Sequence, residues 1–348
     1  MDNNLIVSTS PHLRSGARTR RIMLDVLIAL APAAVAAVVF FGLHAFLMMA
    51  VSVATAVLSE YIYNRIVKKE QTVGDLSAVV TGLLLALTLR TPSVAQGATQ
   101  KEALITLGVF YFQIAVGAVF AIIVVKCLFG GIGCNFANPA ITARVMMLIA
   151  FGSSFAGGSA TAFGKLTDYT KPDGTLITGA TPLGVLNGGG STEGLPSILD
   201  MLIGNRGGAI GETCVIALLI GFVYLLVRRV ITWHTPVVFI GSTFLLSLIF
   251  SGFNITVSLY HLFGGGLFLC AIFMATDYVT SPIYKWGKVI FAFGCALITV
   301  IIRFLADLPE GASYALLIMN ILSPYIELLT APKPLGAAKK QKKEDNAQ

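Results

Sequence analysis

The sequence predicts an all-α polytopic membrane protein of about ten transmembrane helices, arranged as two inverted halves of five. Three observations carry this expectation. Of the 348 residues, 56% are hydrophobic and only 12% are charged, where soluble domains hold roughly 25% charged residues. The mean hydropathy is +0.83, so the chain cannot cover a water-facing surface. Apolar runs near the length of a membrane span recur along the chain, and Lys and Arg fall between them.

The runs divide around a polar centre. The first half offers spans over 22–41, 43–63, a short 76–89, 104–126 and a short 139–152. The second offers 208–227, 236–253, a short 258–275, 287–305 and 312–330. This gives a terminal segment 1–21, a half 22–152, a loop 153–207, a half 208–330 and a basic tail 331–348. Arg18, Arg20 and Arg21 precede the first run as in a signal peptide. That run, Ile22 to Phe41, exceeds an h-region and is expected to be the first span. An odd number of spans per half makes any repeat inverted, and both short third spans carry glycine: Gly82, and Gly264-Gly265-Gly266.

Ten crossings put both termini on one side. Lys and Arg then fall 17 on that side and 6 on the other, with Arg144 inside a span. The positive-inside rule places both termini in the cytoplasm and the 153–207 loop outside. The net charge of +7 therefore sets topology and implies no nucleic-acid partner. Cys127, Cys134, Cys214, Cys270 and Cys295 lie in or beside apolar runs without a CxxC and are read as packing residues. His12, His44, His234 and His261 form no spaced set, so neither haem nor zinc is expected.

Four stretches carry chemistry. In the polar loop stands Thr178-Gly179-Ala180-Thr181, followed by Pro182 and Leu183. Small neighbours leave room beside the Thr181 hydroxyl, and Pro182 fixes the backbone after it. Gly130-Gly131-Ile132-Gly133-Cys134-Asn135-Phe136-Ala137-Asn138-Pro139-Ala140 opens the fifth span. Unwound backbone at a membrane edge needs a protein wall or a cavity to satisfy it. Asn135 and Asn138 supply paired amides, and Pro139 suits a first helical turn. The motif reads either as a helix break or as the wall of a cofactor site or ion path. Asp75-Leu76-Ser77 and Ala275-Thr276-Asp277-Tyr278-Val279-Thr280-Ser281-Pro282 flank the short third spans. Asp75 can cap a helix or hold a cation. Asp277 ends a helix, where the dipole disfavours a carboxylate, so a compensating cation or hydrogen bond is expected there. Asp25, Glu60, Glu212 and Arg144 lie near or inside spans, where charge is costly.

These motifs, in this order between about Arg21 and Pro324, resemble the family that joins the D subunit of the Rnf ion-translocating oxidoreductase to the B subunit of the sodium-pumping quinone reductase. The long amino-terminal extension of the B subunit is missing, which favours the Rnf type. The resemblance implies a urea-transporter-like architecture in the cytoplasmic membrane. It implies FMN joined by a phosphoester to Thr181, with Thr178, Gly179 and Ala180 as the rest of the modification motif. It further implies a second, non-covalent flavin (riboflavin) near Asn135 and Asn138, and an ion route past Asp75 and Asp277. Thr178 stands where serine is commoner. Thr175 stands where an acid is usual, Asp173 lying further upstream. The implied partners are a flavin transferase, the A, B, C, E and G types of Rnf subunit, membrane lipid, and Na+ or H+. Electrons would pass between ferredoxin and NAD, whose sites and iron–sulfur clusters belong to those partners. A quinone-reductase B subunit and a non-redox channel of the urea-transporter type are the alternatives.

Overall fold

The computed structural model describes residues 19–92, 99–155, 167–170, 176–187, 195–306 and 311–332. The expected roles of Asp173 and Thr175, and nearly all of both terminal segments, lie outside these residues.

The first half comprises α1 (Thr19–Phe41), α2 (Leu43–Ile66), α3 (Ser77–Leu87), α4 (Gln100–Cys127) and α5 (Pro139–Ala150). A turn of α6 (Gly152–Phe155) follows. Two short strands, β1 (Thr167–Thr170) and β2 (Leu176–Ala180), pair antiparallel, with Thr167 opposite Ala180 and Tyr169 opposite Ile177. The hairpin departs from a purely helical chain. No run of alternating apolar residues announces it in the sequence. Then come α7 (Pro182–Asn187), α8 (Ile198–Ile203), α9 (Val215–Val227), α10 (His234–Phe250) and α11 (Ile255–Phe263). The chain closes with α12 (Leu267–Met274), α13 (Lys285–Leu305) and α14 (Gly311–Thr330).

Each expected span coincides with a helix. Among the described residues, five helices are long and apolar enough to cross a bilayer: α1, α2, α4, α13 and α14. The α11–α12 pair, bent by 57° at its glycines, makes a sixth. The helices α3, α5, α9 and α10 are apolar but shorter. The outer surface carries large apolar side chains such as Leu104, Phe112, Ile149, Val223 and Leu329. Buried alanines dominate several contact faces, for example Ala29, Ala33 and Ala37 on α1, and bring helices together. At Gly221, a Cβ would stand 2.3 Å from the Ala29 carbonyl, so α9 rests directly on the backbone of α1.

Two sequence expectations change. Gly82 does not break its span. It lies inside α3, where a Cβ would come 2.9 Å from the Ser52 carbonyl, and Ser52 donates to the Gly82 carbonyl at 2.7 Å. Its small size seats α3 against α2. Residues 208–214 are expected to open a helix, yet α9 starts only at Val215. The N–H groups of Ile210 and Gly211 are instead spent on the carbonyls of Leu89 and Leu87, at 3.0 and 2.8 Å. They satisfy the C-terminal end of α3, which no later helical turn can do.

Candidate functional site

Thr181 links β2 to α7 and is half-buried. Its Oγ1 accepts the Gly184 N–H at 3.1 Å, and its carbonyl accepts the Val185 N–H at 3.0 Å. Thr181 is therefore the N-cap of α7, with Pro182 in the first helical position. The sequence reading missed this role, although Thr-Pro before an apolar turn is a capping signal. The cap uses the hydroxyl as an acceptor, and among the described residues its own proton has no acceptor. A Cβ on Gly184 would stand 3.3 Å from Oγ1, so the glycine keeps one side of the oxygen open.

α7 is fixed from below. Leu183 is 1% exposed and fills a notch at Gly264, where a Cβ would lie 2.7 Å from its side chain. Beside it, the buried Tyr260 donates to the Pro196 carbonyl at 2.7 Å. The break itself is held by two buried guanidinium groups. Arg303 donates to the carbonyls of His261, Gly264 and Gly265, the last two at 3.1 Å. Arg206 donates to those of Phe263 and Glu212, at 2.6 and 2.9 Å. The Glu212 carboxylate accepts the Ala209 N–H at 3.0 Å. Free carbonyls at a broken intramembrane helix are costly, and these arginines satisfy them. Glu212 stands out in the sequence; Arg206 and Arg303 read there as loop charges.

At the far end of α12, roughly 12 Å along its axis, lies a partly open cavity of about 100 Å³. Asn135, Asn138, Asp277, Lys126, Ser77 and Thr81 are among the residues that line it. Asn138 is spent largely on structure. Its Oδ1 accepts the N–H groups of Ala140 and Ile141, at 3.1 and 3.4 Å, as the N-cap of α5. Its Nδ2 donates to Asp277 Oδ2 at 3.4 Å. Asn135 differs: its Oδ1 is buried against the cavity without a hydrogen-bond partner among the described residues. An orphaned amide oxygen fits a ligand that donates an N–H or O–H.

Asp277 is compensated by hydrogen bonds. Its carboxylate accepts the Val279 N–H at 3.2 Å, Thr280 Oγ1 at 3.4 Å and the Asn138 amide. Ser281 bonds its backbone carbonyl, not its side chain. Loss of water still outweighs these bonds and holds its pKa above the ordinary carboxylate value. Asp75 accepts the Ser77 N–H at 2.9 Å and its hydroxyl at 2.6 Å, which supports the capping reading.

From Ser77 a hydrogen-bonded chain runs through the buried Lys126 and Glu60 to Thr72 at the surface. Lys126 Nζ donates to Ser77 Oγ at 2.5 Å and to Glu60 Oε1 at 2.8 Å. Thr72 donates to the same Glu60 oxygen at 2.6 Å, and Asn64 donates to Thr72 at 3.0 Å. Side chains of Lys126 and Glu60 are 3% and 1% exposed, so this is a buried ion pair. Lys126 faces the cavity, whereas Glu60 lines a separate cleft with Asp75 and Gly130. Sequence reasoning counts Lys126 as a loop charge. Its position directly after the apolar run Phe120–Val125 is the available clue. Asp25, which the sequence also singles out, pairs with Arg228 at 3.3 Å and accepts from Tyr224 at 3.0 Å. Arg144 is buried in α5.

The structure thus gathers Asn135, Asn138 and Asp277 on one cavity and reaches Asp75 through Ser77. It places Thr181 at the opposite end of α12. Thr178, Gly179 and Ala180 run along β2. Among the described residues, no group of His, Cys, Asp and Glu is arranged to hold a metal.

A model of the NQR2, RnfD, RnfE family matches residues 6–336. The chain is 40% identical to the D subunit of the Na(+)-translocating ferredoxin:NAD(+) oxidoreductase complex of Acetobacterium woodii, covering 97% of this chain and 98% of that protein. It is 34% identical to the D subunit of the proton-translocating ferredoxin:NAD(+) oxidoreductase complex of Clostridium ljungdahlii, over 96% and 97%. It is 35% identical to the D subunit of the ion-translocating oxidoreductase complex of Stutzerimonas stutzeri, over 91% and 92%. With its expected motifs in order and these matches spanning almost its whole length, the chain belongs to the NQR2, RnfD, RnfE family.

Proposed function

We propose that this chain is the membrane-embedded D-type subunit of an Rnf complex, carrying covalent FMN on Thr181 and relaying electrons coupled to Na+ or H+ movement between ferredoxin and NAD. The observation that carries the flavin assignment is the Thr181 hydroxyl. Its proton has no acceptor among the described residues, Gly184 leaves it room, and α7 is anchored through Leu183. The donor set fits a phosphoester. A flavin transferase would supply the group. When attached, FMN would supply one- and two-electron transfer. The chain's own contribution is to hold the attachment point rigidly against the broken span α11–α12.

Asn135 and its cavity fit a second, non-covalent flavin, with riboflavin the expected form. The orphaned Asn135 Oδ1 would accept a hydrogen bond from it, while Asn138 would hold α5 and Asp277 in place. Asp277 and Asp75 would line the ion route, and the Lys126–Glu60 pair between two clefts would belong to it. The helix contacts support two inverted halves. α1 packs on α9 and α5 on α14, while α2 meets α4 as α10 meets α13. Removing the buried Lys126 from one side of the charge count, and Arg206 and Arg303 from the other, leaves 16 against 4. This supports cytoplasmic termini, an outer Thr181 and the cytoplasmic membrane as location. The other Rnf subunits, of A, B, C, E and G types, would hold the NAD and iron–sulfur sites. In-gel flavin fluorescence after denaturation tests the reading: it should be present in the mature chain and absent from Thr181→Ala.

A further inference from the structure

A smaller cleft opens where α10 and α13 begin, beside the main cavity. Neither helix start is capped by a side chain: Trp233 and Tyr284 occupy the cap positions and make no such bond. First-turn N–H groups without a cap carry partial positive charge. Thr232, Thr235, Thr276, Tyr278, Ser281 and Lys288 supply the polar lining, and no carboxylate is among the lining residues. Lys288 Nζ donates to Thr232 Oγ1 at 3.1 Å and keeps its other donors.

Thr235 gives the independent sign of a ligand. It is 2% exposed and lines the cleft, yet its hydroxyl makes no hydrogen bond among the described residues. Two turns on, the buried Thr243 returns its proton to the Phe239 carbonyl at 2.8 Å, as buried hydroxyls usually do. An ammonium, an unspent hydroxyl and two bare helix starts select an anion.

Depth selects the kind of anion. The chain has two tryptophans, and both stand at the two helix starts: Trp233 in the cap of α10 and Trp286 in the first turn of α13, 55% and 75% exposed. Exposed tryptophans at the ends of spanning helices mark the headgroup level of a bilayer. We propose that this cleft binds the phosphate of an anionic phospholipid headgroup, held by Lys288, Thr235 and the first-turn N–H groups of α10 and α13.

The test is lipid retention by the purified, assembled complex. The complex would be delipidated in mild detergent and exchanged into phosphatidylcholine nanodiscs doped with phosphatidylglycerol, and bound lipid read by native mass spectrometry. The wild type should retain phosphatidylglycerol. Lys288→Ala and Thr235→Val should each lower retention by roughly tenfold, the scale of one charge-assisted hydrogen bond. Lys288→Arg should restore it. Lys285→Ala, an exposed charge outside the cleft, should leave it unchanged. Thermal midpoints of assembly monitor folding in every variant. Three results would overturn the proposal: equal retention in wild type and Lys288→Ala, equal loss in Lys285→Ala, or displacement of the lipid by inorganic phosphate, which would make the ligand a soluble anion.

Discussion

Thr181 has two jobs to separate, because its oxygen both caps α7 and is the proposed attachment point. Thr181→Ala removes both at once. Loss of an N-cap side chain costs about 0.5–2 kcal/mol. For the six residues of α7 that is enough to loosen the turn even with Leu183 buried. Thr181→Asn separates the two, since asparagine caps at least as well as threonine, within about 0.5 kcal/mol, yet has no hydroxyl to esterify. Its side-chain oxygen can still accept the Gly184 N–H. Both variants would be expressed with the maturation machinery and run on denaturing gels for flavin fluorescence. The hydroxyl reading requires that both go dark, while Thr181→Asn inserts and assembles like wild type. Fluorescence kept by Thr181→Asn and lost by Thr181→Ala would refute the attachment, because the flavin would then sit elsewhere and need only an intact α7. Thr181→Ser keeps both jobs. Thr178→Ser should be tolerated as well, since serine is the commoner residue at that point of the motif.

Three further outcomes are expected. A raised pKa means that the folded state favours protonated Asp277, so its contribution to stability is full below the unfolded value of 3.8 and is lost as pH rises through the higher folded value. Asp277→Asn should therefore be neutral or stabilising near neutral pH and should flatten that acid-side slope. It should also raise the ion concentration needed for turnover; unchanged ion dependence would leave Asp277 a structural cap. Lys126→Met strands the buried Glu60 carboxylate and should cost about 3–5 kcal/mol, with most of it regained when Glu60→Gln is added. Thermal melts of single and double variants measure this, and additive losses would contradict a coupled pair. Cys134 alone among the five cysteines is exposed. If the termini are cytoplasmic, an impermeant maleimide should label it in inverted vesicles and spare it in intact cells; the reverse pattern would invert the topology.

What the sequence disclosed follows the range of each force. Hydropathy is a sum over neighbours, so every apolar segment coincides with a helix, and the only large boundary error falls at 208–214. There the controlling bonds run from Ile210 and Gly211 back to Leu89 and Leu87, more than 120 residues earlier. Local capping is readable at Asp75 before Ser77; Asn138 before Pro139, read only as an amide of the helix break, caps over the same two or three residues. Gly82 and Gly264 look alike in sequence and do different things. One meets a neighbouring helix backbone and the other ends a helix and receives Leu183, and only the neighbours distinguish them.

Charges were the least legible, and the reason bears on function. Lys126, Arg206 and Arg303 each stand at the edge of an apolar run, where a loop position looks natural. Burying an ion costs several kcal/mol unless partners replace water. The structure shows what those partners are: Glu60 and Ser77 for Lys126, and the carbonyls around Gly264 for the two arginines. The two arginines satisfy the broken backbone beneath Leu183 and so steady the end of α12 that supports Thr181. The lysine sits between the Asn135–Asp277 cavity and the cleft beside Asp75. One set of buried charges is therefore static, holding the proposed attachment point. The other joins two clefts through a pair whose Glu60 Oε2 has no hydrogen bond among the described residues. An unbonded carboxylate oxygen offers a cation a ligand at little structural cost, so in the proposed ion route Glu60 and Lys126, more than the well-bonded Asp75, are the place to look first.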